Sequence, residues 1–361
     1  MRRLPLPTMS HLPTADLRIL TARPLLSPSV LADELPLDDD GADFVAHSRG
    51  QAEAILLGRD DRLLLLVGPC SIHDPQAARE YGERLCELAA RHAAELFVVM
   101  RVYFEKPRTV IGWKGLINDP DLDNSFQINK GLHLARKLMI DLAAQRLPVA
   151  TEFLDTTLGQ YYAELVTWGG IGARTVESQV HRELASGLSM PVGFKNRTDG
   201  DVQVAIDAIR TARHPHWFPS LTKDGAPAVL GTSGNDCGHL VLRGGTRGTN
   251  FDAASVRAAT EMLRAADLPP YLVVDCSHAN SGKNAGAQPT VAAEIAAQLA
   301  AGERAICGVM VESNLLGGAQ DYGARPLVYG RSVTDPCLAL EQTIPVLAVL
   351  AEAVRERRMR R

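Results

Sequence analysis

No CxxC pair occurs among the six cysteines (Cys70, Cys86, Cys237, Cys276, Cys307 and Cys337), and no N-terminal run joins basic residues to a long apolar stretch with a cleavage-like end. Without paired thiols or a leader, the expected compartment is a reducing cytoplasm. Long apolar runs are also missing. The longest, "LLLLVG" at 63–68 and "YLVVDC" at 271–276, fall far short of the ~20 residues a spanning helix needs, so no membrane partner is expected. A long basic tract is absent and the formal net charge is −4, which argues against nucleic acid as a partner. Aromatics make up only 5%. Against these absences stand 46% hydrophobic and 22% charged residues in a chain of 361, enough for two average domains or one large α/β barrel.

Residues 1 to about 45 are rich in proline and small side chains and read as an extended arm with little core of its own. Residues 44–58 carry apolar positions at helical spacing and end at Gly58, a helix stop. Eight short aliphatic runs then follow: 63–67, 96–100, 148–151, 170–173, 191–194, 239–242, 271–274 and 307–311. Helical stretches such as 75–95 and 290–302 separate most of them. Continuously apolar strands alternating with helices indicate a parallel sheet covered on both faces. Eight such units predict a (β/α)8 TIM barrel, with a doubly wound open sheet as the alternative. The expected organisation is an N-terminal arm and helix over 1–60 and a catalytic barrel over 61–361. After a helix at about 200–212, the stretch 214–236 alternates and carries a "KDG" turn signal, which predicts an inserted β-hairpin between strands 5 and 6.

In a barrel the chemistry sits where the strands end. The exits read "GPCSIHD", "RVYFEKPRT", "EFLD", "RTVESQ", "KNRTDG", "RGGTRG", "DCSHANSGK" and "ESN". Six cations lie there: Arg101, Lys106, Arg108, Arg174, Lys195 and Arg243. Any one of them can pair with a loop carboxylate such as Glu152 or Glu177, or reach solvent. Six from four strands aimed at one mouth would repel one another unless a multiply charged anion lay among them. A substrate bearing phosphate or carboxylate is therefore expected.

A second set, Cys70, His278, Glu312 and Asp335, also lies at or just beyond strand exits. Its mixed softness suits one divalent ion such as Mn²⁺, Fe²⁺, Co²⁺ or Zn²⁺. Spacing alone does not single these residues out, since a cysteine is most often a small buried hydrophobe. Cys86 and Cys307 read as core, and His73 as a neighbour of a helix cap.

"GPCSIHD", "RVYFEKPRT", "GWKGLINDP", "IGARTVESQVHRELASGL", "GFKN", "LRGG", "SHANS" and "YGRSVTD" together resemble the type I alpha class of 3-deoxy-D-arabino-heptulosonate 7-phosphate synthases over nearly the whole chain. The resemblance implies a (β/α)8 transferase acting at the first step of the shikimate pathway. It would join phosphoenolpyruvate to D-erythrose 4-phosphate and release phosphate. It further implies that Cys70, His278, Glu312 and Asp335 ligate the metal. Arg101, Lys106, Arg174, Lys195 and Arg243 would hold phosphoenolpyruvate, and Arg108 and Thr109 the aldose phosphate. Lys106, Cys70 and His278 are the implied catalytic residues, with Lys106 protonating the nascent alkoxide. In relatives the matching hairpin forms a pocket for an inhibitory aromatic amino acid. Ser189, Phe218 and Ser220 are the candidates here, with phenylalanine the preferred inhibitor. A homodimer or homotetramer is implied, with the arm reaching a neighbour.

Arg197 stands where the family usually has glycine, and is expected to add a cation beside Lys195 and to alter the turn. Lys114 has no assignment. Two other readings are a 3-deoxy-D-manno-octulosonate 8-phosphate synthase, which "KPRT" disfavours, and a noncatalytic phosphometabolite sensor, which would have lost the ligands this chain keeps. A fused chorismate mutase does not fit an arm of ~45 residues or the short helical tail.

Overall fold

The eight aliphatic runs form eight parallel strands in a computed structural model that describes residues 14–108 and 110–360. They are β1 (Leu63–Gly68), β2 (Leu96–Arg101), β3 (Val149–Glu152), β4 (Trp168–Ile171) and β5 (Val192–Lys195), then, after a hairpin of β6 (Trp217–Leu221) and β7 (Pro227–Gly231), β8 (Gly238–Leu242), β9 (Leu272–Asp275) and β10 (Ile306–Asn314). Hydrogen bonding runs β1-β2-β3-β4-β5-β8-β9-β10, and β10 returns to β1 with Leu64 opposite Gly308 and Gly68 opposite Glu312. The sheet is closed, so the open-sheet alternative falls.

Helices α1 (Pro28–Glu34) and α2 (Asp39–Leu56) precede the barrel. α3 (Pro75–Arg91), α4 (Ile128–Ala144), α5 (Gln179–Gly187), α6 (Gln203–Ala212), α7 (Ala253–Ala265), α8 (Gln288–Ala300) and α9 (Leu340–Met359) surround it. Two short 3₁₀ turns, Leu158–Tyr161 and Ala163–Leu165, take the place of a helix between β3 and β4. Beyond β10, Leu338–Ala339 pairs with Ser313 and Asn314. That pairing folds the segment carrying Asp335 back over the strand ends.

Local chemistry accounts for boundaries the apolar pattern misplaced. α2 starts at Asp39, not 44, because Asp38 caps it by accepting from the Gly41 N–H at 2.8 Å and two aspartates occupy its first turn. It ends near Gly58, whose φ of +70° is the left-handed value a helix stop uses. The arm is less empty than expected, since Leu31 of α1 is fully buried. β4 begins two residues early because Trp168 points into the barrel and packs there with Phe97, Ala150, Val241 and Met310.

Trp168 is fully buried, and its Nε1 donates to His239 Nε2 at 3.0 Å. Burial pushes the His239 pKa down to about 4, so the ring is neutral near pH 7 and its Nε2 can accept. Trp168→Ala removes a large core side chain and leaves His239 without its donor. A loss of about 3–5 kcal/mol is expected, read as a lower denaturant midpoint. Ala52, Ile55 and Leu56 of α2 join the same apolar cluster, so α2 packs across the end of the barrel opposite the strand exits.

Candidate active site

Residues at the strand exits enclose a cavity of about 920 Å³. Lys106, Arg108, Arg174, Lys195 and Arg243 line it, with Glu152, His278 and Asp335 among them. Five of the six expected cations thus meet in one mouth, while Thr109 lies outside the described residues.

Arg101 differs from expectation. It is 0% exposed and does not line the cavity. Its Nη2 meets Glu312 Oε1 at 3.1 Å, and its guanidinium lies 4.0 Å from the Tyr103 ring centroid. A buried cation needs such partners. Its Nε has no hydrogen-bond partner among the described residues.

Lys195 Nζ pairs with Asp275 Oδ2 at 2.9 Å. Asp275, also 0% exposed, meets His278 Nδ1 at 2.9 Å and accepts from Ser277 N and Oγ at 2.9 and 2.6 Å. Burial alone would raise its pKa, but Lys195, His278 and Arg101 outweigh that and hold it well below the usual carboxylate range. With Nδ1 fixed on Asp275, His278 turns Nε2 toward Glu312 Oε1 at 4.0 Å. Such a carboxylate is what commonly orients a ligating imidazole.

Donor atoms of Cys70, Glu312 and Asp335 all lie within 4.8 Å of one another, with Cys70 Sγ 3.8 Å from Asp335 Oδ2. His278 is outside that tight group and borders it. Burial, then Glu312, pushes the Cys70 thiol up to about 11. Lys106 Nζ donates to both Cys70 O and Sγ at 3.2 Å. Burial would depress the Lys106 pKa, yet Cys70, Glu312, Glu152 and Asp335 together hold it above the ordinary lysine value. A soft donor and two carboxylates this close fit a divalent cation.

The exit reading overlooked Asp275, because attention fell on the His three residues later. Its signal was present: a charged residue ending the apolar run "YLVVD". Asn196 was missed too. Its Oδ1 accepts from Arg243 N and its Nδ2 donates to Gly244 O, tying the β5 and β8 exits together. Glu152, considered only as a charge partner, lines the cavity, and its buried Oε1 has no hydrogen-bond partner among the described residues. Arg197 adds no net charge, because it pairs with both Asp199 and Glu177. Lys114 is exposed and outside the cavity.

A second cavity, of about 760 Å³, lies beside the hairpin. Ser189, Phe218 and Ser220 all line it, with Arg49, Glu53 and Gln160.

The closed barrel and the cation-lined mouth beside a cluster of metal-type donors define a (β/α)8 enzyme that handles anionic substrates. Residues 43–348 match the family described as DAHP synthetase I. The chain belongs to that family. It is 54% identical over 344 residues to the Phe-sensitive phospho-2-dehydro-3-deoxyheptonate aldolase of Escherichia coli K12, covering 95% of this chain and 98% of the relative. It is also 54% identical to the Trp-sensitive enzyme of Enterobacter agglomerans, covering 95% and 99%. The solved phospho-2-dehydro-3-deoxyheptonate aldolase of Francisella tularensis superposes with a TM-score of 0.93 at 52% identity, covering 94% of this chain and 99% of that one.

Proposed function

We propose that the enzyme condenses phosphoenolpyruvate with D-erythrose 4-phosphate and water, giving 3-deoxy-D-arabino-heptulosonate 7-phosphate and phosphate. The observation that carries this reading is the convergence of six cations, the five expected ones and Lys283, on one cavity of about 920 Å³, a volume suited to two small phosphorylated molecules. One substrate brings a carboxylate and a phosphate, the other a phosphate.

Arg174, Lys195 and Arg243 hold phosphoenolpyruvate, with Arg101 supporting from below through Glu312. Arg108, with Thr109, receives the aldose phosphate. C3 of phosphoenolpyruvate bonds to the aldehyde carbon, water oxygen bonds to C2, and the C2–O bond to phosphate breaks. Lys106 carries the proton for the aldehyde oxygen as it becomes a hydroxyl. Glu152, a carboxylate lining the cavity, orients the water. Cys70, His278, Glu312 and Asp335 would hold one divalent ion: the donor atoms of Cys70, Glu312 and Asp335 lie close enough for one, and His278 Nε2 borders them. When bound, such an ion supplies Lewis acidity toward the aldehyde oxygen.

The second cavity is read as the seat of an inhibitory aromatic amino acid, phenylalanine first, with Phe218 as its apolar wall and Ser189 and Ser220 as polar contacts. A homodimer or homotetramer belongs to the same reading. Leu17, Ile19 and Leu20 of the arm and Trp217 and Val229 of the hairpin are exposed apolar side chains that a neighbouring subunit would cover.

Phosphoenolpyruvate consumption is measured with each aldose phosphate, with and without a chelator, and with each aromatic amino acid. Turnover with erythrose 4-phosphate alone, lost on chelation and lowered by phenylalanine, is the expected result. Turnover only with arabinose 5-phosphate overturns the substrate assignment. Insensitivity to all three amino acids overturns the regulatory one.

A further inference from the structure

Glu105 is the single acid in the cation-rich stretch "RVYFEKPRT", and the chemistry above does not use it. It is 3% exposed. Its Oε1 accepts from the Asp155 N–H and its Oε2 from the Tyr162 hydroxyl, both at 3.3 Å. The next residue, Lys106, is fixed by its own N–H to the Lys114 carbonyl at 2.8 Å. Gly115 closes that loop with φ +117°, and a Cβ there would lie 2.0 Å from Phe104 O, so the backbone on both sides of Glu105 is tightly held.

We propose that Glu105 is a positioning residue whose buried carboxyl ties the segment carrying Lys106 and Arg108 to the 155–162 segment, and so sets where Lys106 sits in the mouth. The proposal rests on the activity assigned above. The groups facing the carboxyl are Asp155 and Tyr162 from the 155–162 segment and Glu152 from β3, with Lys106 next to it in the chain. None of the first three supplies a positive charge. Burial, then Asp155, pushes the Glu105 pKa up to about 8 from 4.5.

Below pH 4.5 the carboxyl is protonated in folded and unfolded chains alike. Between 4.5 and about 8 the unfolded chain ionises while the folded one resists, so the folded state loses stability as pH rises. A glutamine of the same shape would keep the bond from the Asp155 N–H on its oxygen and donate its Nε2–H to the Tyr162 oxygen, without that loss. A buried acid kept at the expense of stability beside a substrate-binding lysine points to a role in the site. Once ionised, the carboxylate is repelled by Asp155 and Glu152, and the tie loosens.

The test compares native protein, Glu105→Gln and Glu105→Leu across pH 6 to 9.5, a range bracketing the Glu105 pKa of about 8. Three quantities are read: amide hydrogen exchange of residues 104–117, melting temperature, and kcat and KM for each substrate. In the native protein, exchange corrected for its intrinsic pH dependence is expected to rise by up to about tenfold per pH unit as pH climbs towards the carboxyl's pKa of about 8 and to level off above it, with KM rising alongside. Glu105→Gln should melt higher at neutral pH, with flat exchange and no such rise in KM. Glu105→Leu, which keeps neither hydrogen bond, should exchange faster and show a raised KM at every pH. Pipetted variants whose circular dichroism matches native protein are compared; if Leu fails to fold, native against Gln still decides. Identical pH responses in native and Gln proteins, or a Leu variant matching Gln throughout, overturn the proposal. If no variant or native protein consumes phosphoenolpyruvate, the assigned activity fails, while exchange and melting still decide the role of Glu105.

Discussion

Lys106→Met is expected to lower kcat roughly 10²–10⁴-fold, the range for losing a positioned proton donor, with a smaller rise in KM for phosphoenolpyruvate. The lysine is half-buried and bonds to Cys70 through both O and Sγ at 3.2 Å. Its charge offsets Cys70, Glu312, Glu152 and Asp335, the groups that hold its pKa above the ordinary lysine value. Methionine matches its length without the proton or the charge. Metal content should therefore hold or rise in the variant, because a competing cation has gone. That readout separates a chemical role from a collapsed site. Lys106→Arg should rescue little, since a planar guanidinium cannot replace a compact ammonium between two substrates. A kcat near the native value for Lys106→Met would remove this residue from the proposed chemistry.

Cys70→Ala should be nearly as damaging, through metal binding. Cys70 is the one soft donor in a set otherwise made of carboxylates and imidazole, and its Sγ lies 3.8 Å from Asp335 Oδ2. Losing even an outer-shell partner typically weakens metal binding 10–100-fold, so removing a ligand should cost ~100-fold or more. Equilibrium dialysis against Mn²⁺ or Zn²⁺, followed by elemental analysis, measures this directly. Circular dichroism should match native protein, because alanine leaves only a small void. Cys86→Ala is the control. Its sulfur lies on α3 near the Gln145 carbonyl, so metal content and turnover should not change. Full activity of native protein after chelation and metal-free dialysis would dismiss the metal assignment altogether.

The barrel was legible because parallel strands buried on both faces read as unbroken aliphatic runs, and eight of them with helices between favour a closed barrel, although only the β1–β10 pairing excludes an open sheet. The strand exits were legible for the same reason: where an apolar run stops, the polar residue after it sits at the mouth. What the pattern could not carry was depth. Arg101 and Lys106 stand five positions apart in one stretch, yet one is fully buried against Glu312 and the other lines the cavity. Only the closure of β10 onto β1 brings Glu312 within reach of Arg101. Glu105 was opaque for a similar reason, since its partners Asp155 and Tyr162 lie 50 and 57 residues away. Arg197 was read as an added cation because its counter-charge at Glu177 comes from a different exit loop.

The layer of Trp168, Phe97, Val99 and Met310, backed by Ala52, Ile55 and Leu56 of α2, seals the far end of the barrel. Molecular traffic therefore runs through a single doorway. On the proposed chemistry, a molecule held by the buried Lys195 and Arg243 has to enter before another occupies the exposed Arg108, and the product would leave past the same threshold. Such a dead end makes ordered binding the expected outcome of initial-rate measurements, an order set by the packing of hydrophobic side chains far from any reacting atom.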